Sequence, residues 1–345
     1  MMGGNMPAMK SGLIYGIGLW VLFFLICWEL GYPTLNRYDA RRTRNADLTG
    51  YYQLVKGEPQ SVPGDLVHRV LVPFIARPFY RLASGKVGTW DPVFFGMLIV
   101  NAFFTATTAF LLVSVGYDTV GDSVTALLSG MIYLLNFAVV NFHVAAFVES
   151  AQACFVMAMV WSLYRRAWWL LPVWGVLGAL AKETSVPLLT AFAAGWWLAE
   201  GCEHGFRASK AGWIVVMAIS GIVVLHVLMS VVSPYTLWTF AYSQGSSDHF
   251  HIAALVRCIF SRGFWYVFIW LLPLGVWRLR SLPRPWILGT VVAVLVTLVM
   301  GAYSEAGDNA ARPLFNVAGA LLSLSVAVLV TTGNWRLVRP ARQAS

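Results

Sequence analysis

Two carboxylates in the polar segment 31–92 have the chemistry of a catalytic base. Asp47 lies in the sequence ADLTGYY with Tyr51 four residues later, and Asp39 precedes it in RYDARR. A carboxylate at the start of a short helix can accept a proton from a hydroxyl nucleophile or hold a metal, and Tyr51 would share the helix face of Asp47. The structural alternative is that Asp47 caps the helix, because Asp is a favoured N-cap residue.

Arginine and histidine in the same segment could bind an anion at the membrane surface. Over residues 67–83 (VHRVLVPFIARPFYRLA), apolar residues recur at helical spacing with arginines between them. This pattern predicts a helix that lies in the membrane interface and is interrupted at Pro73 and Pro78. Arg69, beside His68, offers a planar fork of donors that fits phosphate. Alternatively, the arginine only extends its guanidinium toward the lipid headgroups.

Further ionisable residues interrupt apolar stretches later in the chain. Lys182 and Glu183 lie in AKET between two short apolar segments, where charges are costly and therefore pair with each other or serve a site. Lys182 is a candidate phosphate ligand. Asp308 and Arg312 precede the last apolar stretch in GDNAARPLF, where Asp308 could instead cap a helix. Glu149, in the apolar sequence NFHVAAFVES, is a functional candidate because ionisable groups are rare inside membranes.

The elements that must position these residues are membrane helices. Hydrophobic residues make up 59% of the chain and charged residues 11%, with a mean hydropathy of +0.69, which lies outside the range of soluble domains. We therefore predict an all-α fold, a polytopic transmembrane helix bundle that forms a single membrane domain over residues 1–345 with no separate soluble domain. About ten spans are expected, at 13–30, 93–115, 122–142, 145–164, 167–181, 186–200, 211–232, 263–278, 285–303 and 313–332.

The distribution of basic residues predicts the orientation of the spans. Outside residues 31–92, most Lys and Arg residues flank the spans on the side of the termini, which places the termini in the cytoplasm and 31–92 in a long first extracytoplasmic loop. That loop is itself basic, and binding an anion would explain this. Topology and membrane lipids account for the net charge of +9 better than nucleic acid, since no soluble basic module is present. A bacterial-type plasma membrane is favoured over the endoplasmic reticulum.

The order of these motifs resembles that of the GT-C-type integral membrane glycosyltransferases. The features that carry the resemblance are Asp47 followed by Tyr51, the segment RVLVP at 69–73, AKET between short helices and Arg312 before a late span. The resemblance covers nearly the whole chain. It implies a hexosyl- or pentosyltransferase that takes a sugar from a polyprenyl-phosphate-linked donor. The sugar would pass with inversion to a lipid or glycan acceptor on the extracytoplasmic or lumenal face.

The resemblance also implies roles for single residues. Asp47, or else Asp39, would be the catalytic carboxylate. The donor phosphate would be bound by Lys182, Arg69, Arg312 and His68, and the sugar or acceptor by Glu149, Glu183, Tyr51 and Asp308. No Asp-x-Asp or Asp-Glu pair lies in the first loop, so a divalent metal is possible but unsupported by motif, and the cofactor is unknown. The sequence SSDHFH at 246–251 is too short and polar to specify a metal site.

Two other classes of function fit the composition. A transporter or flippase of a lipid or small anion would need charges near the middle of several spans, or broken helices in matching halves of the chain. Most charges here fall at the predicted span ends, which favours chemistry at the membrane surface. A non-catalytic assembly subunit is the third interpretation, with the basic first loop as its docking surface.

Overall fold

Helices make up the regular structure of the protein. The computed structural model describes residues 6–37, 45–63, 66–232, 252–303 and 311–332, and every regular element in these ranges is helical. The all-α prediction is therefore confirmed for the described part of the chain. In chain order, the α-helices are α1 (Met6–Leu30), α2 (Tyr32–Arg37), α3 (Ala46–Lys56), α4 (Leu71–Ala83), α5 (Pro92–Val120), α6 (Ser123–Leu134), α7 (Glu149–Tyr164), α8 (Leu171–Ala181), α9 (Ser185–His204), α10 (Ala208–Val232), α11 (Ile252–Ile259), α12 (Arg262–Phe268), α13 (Leu271–Arg278), α14 (Arg284–Tyr303) and α15 (Ala311–Thr332).

Several of these helices have the length and composition of membrane spans. About 20 apolar residues are needed to cross the hydrocarbon core of a bilayer as a helix. Five stretches in the described ranges meet this requirement, which indicates a multi-pass membrane protein. They are Tyr15–Asn36, Pro92–Val120, Ala208–Val232, Arg284–Gly301 and Ala311–Thr332.

Other stretches predicted as spans are shorter or broken helices. The predicted span 122–142 contains α6 and then a π-helical turn at Val139–His143. Asn136 lies between them, and its side chain accepts from the Ala138 N–H at 2.9 Å and donates to the Val267 carbonyl at 3.1 Å. These bonds pair the backbone N–H just before the π-helical turn and a carbonyl in the last turn of α12, groups that helix ends leave without intrahelical partners.

Short interruptions also divide two other apolar stretches. The predicted fifth and sixth spans are the separate helices α8 and α9, which contact each other and are joined by Lys182–Thr184. The predicted span 263–278 is also two helices, α12 and α13, with a break at Ile269 and Trp270. The break between α8 and α9 falls where the sequence separates the fifth and sixth spans. The break within 263–278 is not detected by hydropathy, because Ile269 and Trp270 are themselves apolar.

The described part of the first loop includes the helices α3 and α4, which dock onto the bundle. Asn45 caps α3, since its side chain accepts from the backbone N–H groups of Asp47 and Leu48. The carboxylate of Asp47 is therefore not the cap. In α4, Pro73 lies in the first turn, where a backbone N–H would have no intrahelical partner. Proline, which lacks an N–H, is therefore tolerated there. The helix also continues through Pro78, so the predicted interruption of this segment is wrong.

The core lies around α5, α7 and α15. Almost every side chain of α7 is buried, and so is every residue of α15 from its start through Val328 except Pro313. A helix that is apolar around its whole circumference is buried on all sides. By contrast, α10 exposes large apolar side chains such as Val215, Ile219 and Val223, which would contact lipid in a membrane. The charged residues Glu149 and Arg312 lie in the first turns of α7 and α15.

Small residues let neighbouring helices approach closely. A Cβ atom on Gly195 of α9 would lie 2.8 Å from the Leu288 carbonyl oxygen and 2.9 Å from the Cα of Gly289, both on α14. Such contacts between small residues are the common way in which helices pack within lipid, where no hydrophobic effect drives association.

Substituting Gly195 tests this packing. In Gly195→Ala, the added methyl group meets backbone atoms that cannot rotate away, so we expect a loss of about 1–3 kcal/mol of stability. Gly212→Ala is the matched control, because Gly212 is exposed on α10 and a methyl group added there would have no atom within 4 Å, and alanine favours a helix by up to about 1 kcal/mol. Thermal unfolding in detergent measures both. Equal Tm values for the two variants would contradict the packing of α9 on α14.

Candidate functional site

Charged residues from distant parts of the chain meet at one end of the bundle. They come from the first turn of α3, the segment before α4, the start of α7, the turn between α8 and α9, and the start of α15. The residues are Asp47, His68, Arg69, Glu149, Lys182, Glu183 and Arg312, with Tyr51 on α3. They divide into two groups that differ in how tightly their members are bound.

The first group, which we call the Arg69 cluster, consists of Tyr51, His68, Arg69 and Glu183. Arg69 donates from Nε to Glu183 Oε2 at 2.9 Å and from Nη2 to Glu183 Oε1 at 2.6 Å, a bidentate ion pair. His68 Nε2 lies 3.0 Å from Glu183 Oε2, and Arg69 Nη1 donates to the Tyr51 hydroxyl oxygen at 2.9 Å. Bidentate arginine–carboxylate pairs are among the strongest charge-assisted hydrogen bonds in proteins. The cluster therefore ties the first loop to the α8–α9 turn.

Burial changes the proton affinities in the Arg69 cluster. Burial alone would raise the pKa of Glu183, but the Arg69 guanidinium, followed by His68, lowers that pKa below the usual value for glutamate. Burial raises the pKa of Tyr51 above its usual range, and this effect outweighs the opposing influence of Arg69. Glu183 therefore stays ionised and Tyr51 stays protonated at neutral pH.

The second group, which we call the Glu149 cluster, consists of Asp47, Glu149, Lys182 and Arg312. Glu149 Oε1 lies between two cations, 3.3 Å from Lys182 Nζ and 3.5 Å from Arg312 Nη1. The same Arg312 nitrogen lies 3.5 Å from Asp47 Oδ2. These distances are longer than those of charge-assisted hydrogen bonds, which are about 2.7–2.9 Å. The Glu149 cluster is thus a loose set of ion pairs.

An aromatic ring from a strained loop contacts Arg312 of the Glu149 cluster. The Arg312 guanidinium lies over the ring of Phe147, 4.8 Å from its centroid, which is a cation–π contact. Ala146, just before this phenylalanine, has a φ of 61°, a left-handed conformation that is uncommon for a residue with a side chain. Thr34 donates to the Val144 carbonyl at 2.6 Å and so ties this loop to α2. Strained backbone tends to occur at functional sites.

Asp47 is the accessible carboxylate of the Glu149 cluster. Its side chain is 32% exposed, whereas that of Glu149 is 2% exposed and accepts the Val148 N–H. Within the described residues, no hydrogen-bond donor is found for Asp47 Oδ1. As far as the described residues go, this oxygen has room in its hydrogen bonding for a hydroxyl group from a ligand.

Most of the residues selected from the sequence come together at this site. All four members of each cluster were among the predicted site residues. Asp39 and Asp308, and the histidines of SSDHFH at 246–251, lie outside the described residues. Each of the three clustered carboxylates faces a cation, and the described residues include no group of His, Cys, Asp and Glu side chains suited to a metal ion. The charged residues as they stand do not fit a metal site.

Comparison with known proteins does not extend this description. No protein family, curated protein sequence or solved structure matches the chain. The interpretation of the site therefore depends on its own residues and their geometry.

From the ion pair in the Arg69 cluster, we expect Glu183→Gln to lose much of its stability. The substitution keeps the side-chain shape but leaves the largely buried Arg69, whose side chain is 13% exposed, without a carboxylate. Removing one partner of a buried pair costs roughly 3 kcal/mol. Glu203→Gln is the control, because its partner Arg284 is 83% exposed and exposed pairs contribute about 0–1 kcal/mol. We expect a lower Tm for Glu183→Gln only.

We also expect the Tm of Glu183→Gln to depend on pH differently from that of the wild type. The folded-state pKa of Glu183 lies below its usual value of 4.5. Its contribution to stability is therefore fully present above pH 4.5 and is lost as the pH falls toward the folded-state value. Between neutral pH and acid, Tm should fall less in Glu183→Gln than in the wild type. Parallel pH profiles would show that this carboxylate is not held ionised by Arg69.

Proposed function

We propose that this protein is an integral membrane glycosyltransferase of GT-C type. It would transfer a sugar from a polyprenyl-phosphate-linked donor to a lipid or glycan acceptor on the extracytoplasmic or lumenal face, with inversion. The observation that carries the proposal is the meeting of an accessible carboxylate, Asp47, with the cations Arg312 and Lys182. A base beside a phosphate-binding pair is what transfer from a phosphate carrier needs.

Asp47 is the catalytic base in this proposal. The acceptor hydroxyl would donate its proton to Asp47 Oδ1 while its oxygen attacks the anomeric carbon of the donor sugar. The bond between that carbon and the phosphate oxygen breaks, and its electron pair stays on the phosphate. A single displacement from the opposite face inverts the configuration. A positioned general base contributes roughly 10²–10⁴-fold to such a rate.

Lys182 and Arg312 would bind the donor phosphate. Charge accumulates on the leaving phosphate in the oxocarbenium-like transition state, and preorganised cations stabilise it. Both cations share Glu149 Oε1 at 3.3 and 3.5 Å, so an entering phosphate competes with one loosely held oxygen. Glu149 keeps the two cations together in the absence of a donor.

Arg69 and His68 have a different role in this proposal from the one that the family resemblance implies. Arg69 uses Nε and Nη2 on Glu183 and Nη1 on Tyr51, and His68 also contacts Glu183. A phosphate at Arg69 would have to replace a bidentate carboxylate with short bonds. We infer that these residues hold the first loop against the α8–α9 turn, while Lys182 and Arg312 bind the phosphate.

The distribution of basic residues in the sequence and the amphipathic helix α4 support a proposed arrangement of the protein in the membrane. We propose about ten spans, termini in the cytoplasm of a bacterial-type plasma membrane, and the clusters at the extracytoplasmic end. On α4, Phe74, Ile75 and Leu82 are exposed, and Arg77 stacks over the Phe74 ring at 4.0 Å. Such a helix suits the interface between lipid tails and headgroups, near the phosphate of a membrane-anchored donor.

The catalytic assignment predicts the kinetics of two variants. With purified protein in liposomes and labelled polyprenyl-phosphate sugars, Asp47→Asn should lower kcat roughly 10²–10⁴-fold, because the amide cannot accept the proton. Lys182→Ala should lower transfer about 10²-fold through loss of a phosphate donor. Glu58→Gln is the control, an exposed acid in the same loop, and should leave the rate unchanged.

The outcomes of this assay separate the classes of function. Wild-type transfer in both Asp47→Asn and Lys182→Ala would rule out the mechanism. Movement of the labelled lipid across the bilayer without sugar transfer would indicate a flippase. A variant that loses transfer and also has a lower Tm would have lost activity through unfolding. Each variant is therefore compared with the wild type by thermal unfolding.

The proposed orientation is tested by cysteine labelling. Ala46 is exposed on α3, and Cys202 is exposed at the end of α9, which the topology places in the cytoplasm. In a cysteine-free background, Ala46→Cys should react with a membrane-impermeant maleimide on intact cells. A variant that keeps only Cys202 should react after permeabilisation alone. The reverse pattern would invert the topology and place the site in the cytoplasm.

A further inference from the structure

A row of uncharged hydrogen bonds lies one helical turn beyond the Glu149 cluster. Gln152 follows Glu149 by three residues on α7, and Asn316 follows Arg312 by four residues on α15. Each pair therefore shares one helix face. Asn316 Nδ2 donates to Gln152 Oε1 at 2.8 Å. The two helices that carry Glu149 and Arg312 are thus joined by a neutral amide bond as well as by an ion pair.

The amide of Gln152 extends this row to the turn that carries Lys182. Gln152 Nε2 lies 3.1 Å from Thr184 Oγ1 and 3.2 Å from Ser185 Oγ, and it donates to both hydroxyl oxygens. The three elements of the Glu149 cluster that belong to the bundle therefore meet at one glutamine. Each contributes one charged residue and one or two neutral residues.

On the other side, the row continues through a histidine into the core. His143 Nε2 lies 2.8 Å from Asn316 Oδ1, and His143 Nδ1 lies 3.2 Å from the Tyr133 hydroxyl. An amide oxygen only accepts, so His143 donates from Nε2 and accepts the tyrosine proton at Nδ1. The ring of Phe315 stacks on Tyr133 with centroids 5.3 Å apart. We call Tyr133, His143, Asn316 and Gln152, with Thr184 and Ser185, the amide chain.

The hydrogen bonds of the amide chain are suited to fixing the relative positions of the elements that they join. Gln152 and His143 are 1% exposed, so their hydrogen bonds are shielded from water and are directional. Breaking one leaves a buried polar group without a partner, at about 1–3 kcal/mol. Ion pairs at 3.3–3.5 Å constrain distance and direction only weakly by comparison. The neutral bonds therefore set the relative placement of α7, α15 and the α8–α9 turn.

We propose that Gln152, Asn316 and His143 are positioning residues. They hold Lys182 and Arg312 so that both cations point at a single oxygen, which is Glu149 Oε1 in the unliganded protein and a phosphate oxygen in the complex. The phosphate part of this inference rests on the proposed function. The positioning of Lys182 does not, and it is testable without any ligand.

The first test measures phosphate binding and turnover. Gln152→Met keeps the length of the side chain and removes both the oxygen and the nitrogen of its amide. Ser162→Ala is the matched control, since Ser162 is also buried on α7, accepts from Trp174 Nε1 at 2.9 Å, and lies about 15 Å further along the helix. We expect Gln152→Met to raise the Kd for farnesyl phosphate and the KM for the donor about tenfold, because misplaced ligand groups lose affinity and rate steeply. The control should change them by about twofold or less.

The second test is a thermal-unfolding cycle that needs no ligand. Gln152→Met and Lys182→Met are measured singly and together. If the amide chain positions Lys182, the Tm of the double variant falls by less than the sum of the two single shifts, because the first change already removes the placement of the lysine. Ser162→Ala with Lys182→Met should give additive shifts.

The outcomes distinguish this inference from the proposed function. Additive Tm shifts for Gln152→Met with Lys182→Met would overturn the positioning role. So would an equal rise in Kd for Gln152→Met and Ser162→Ala, because any loss of a buried hydrogen bond would then suffice. If the wild type binds no farnesyl phosphate, the phosphate assignment fails, and a non-additive cycle still supports the positioning of Lys182.

Discussion

The structure depends on the burial of one carboxylate, that of Glu149. A carboxylate in an apolar environment is costly unless cations and hydrogen bonds surround it. Glu149 receives Lys182 from the α8–α9 turn, Arg312 from α15 and the N–H of Val148 beside it. Any arrangement of the bundle that separated α7 from these partners would leave a buried charge uncompensated. The ends of three elements are therefore required to meet at this point.

The two clusters differ in how readily an incoming anion can replace the carboxylate bound to their arginine. Replacing Glu183 on Arg69 would break bonds of 2.6 and 2.9 Å and leave the ionised carboxylate with His68 as its one remaining partner among the described residues. Replacing Glu149 on Arg312 gives up one contact of 3.5 Å, and Glu149 keeps its bond to Val148. An anion from solution or from a lipid headgroup therefore exchanges more readily at Arg312. Tight pairs serve structure, and loose pairs leave cations available to a ligand.

The sequence predicts the charged residues of the site but not their pairing. Asp47, Glu149, Lys182 and Arg312 are recognisable because ionisable groups are costly beside apolar spans. The bidentate pairing of Arg69 with Glu183 joins residues more than 100 positions apart, and no local pattern indicates it. Gln152 and Asn316 are missed because they are uncharged, although their spacing from Glu149 and Arg312 along one helix face was a usable signal. Likewise, apolar runs predict where helices lie, but not the break that Asn136 makes.

The position of Asp47 relative to Arg312 depends on the docking of the first loop. Asn45 fixes the start of α3 and a left-handed Gly57 ends it. Arg77 donates from Nε and Nη2 to the Leu54 carbonyl at 3.1 and 2.8 Å, so α4 holds the last turns of α3. A Cβ on Gly96 of α5 would lie 2.8 Å from the Ala76 carbonyl oxygen, so α4 lies directly on the bundle. In the proposed transferase, a base held by this series of contacts would approach a substrate in one orientation, as catalysis by proximity requires. Helices α3 and α4 therefore form one wall of the site, with the side chain of Asp47 still 32% exposed.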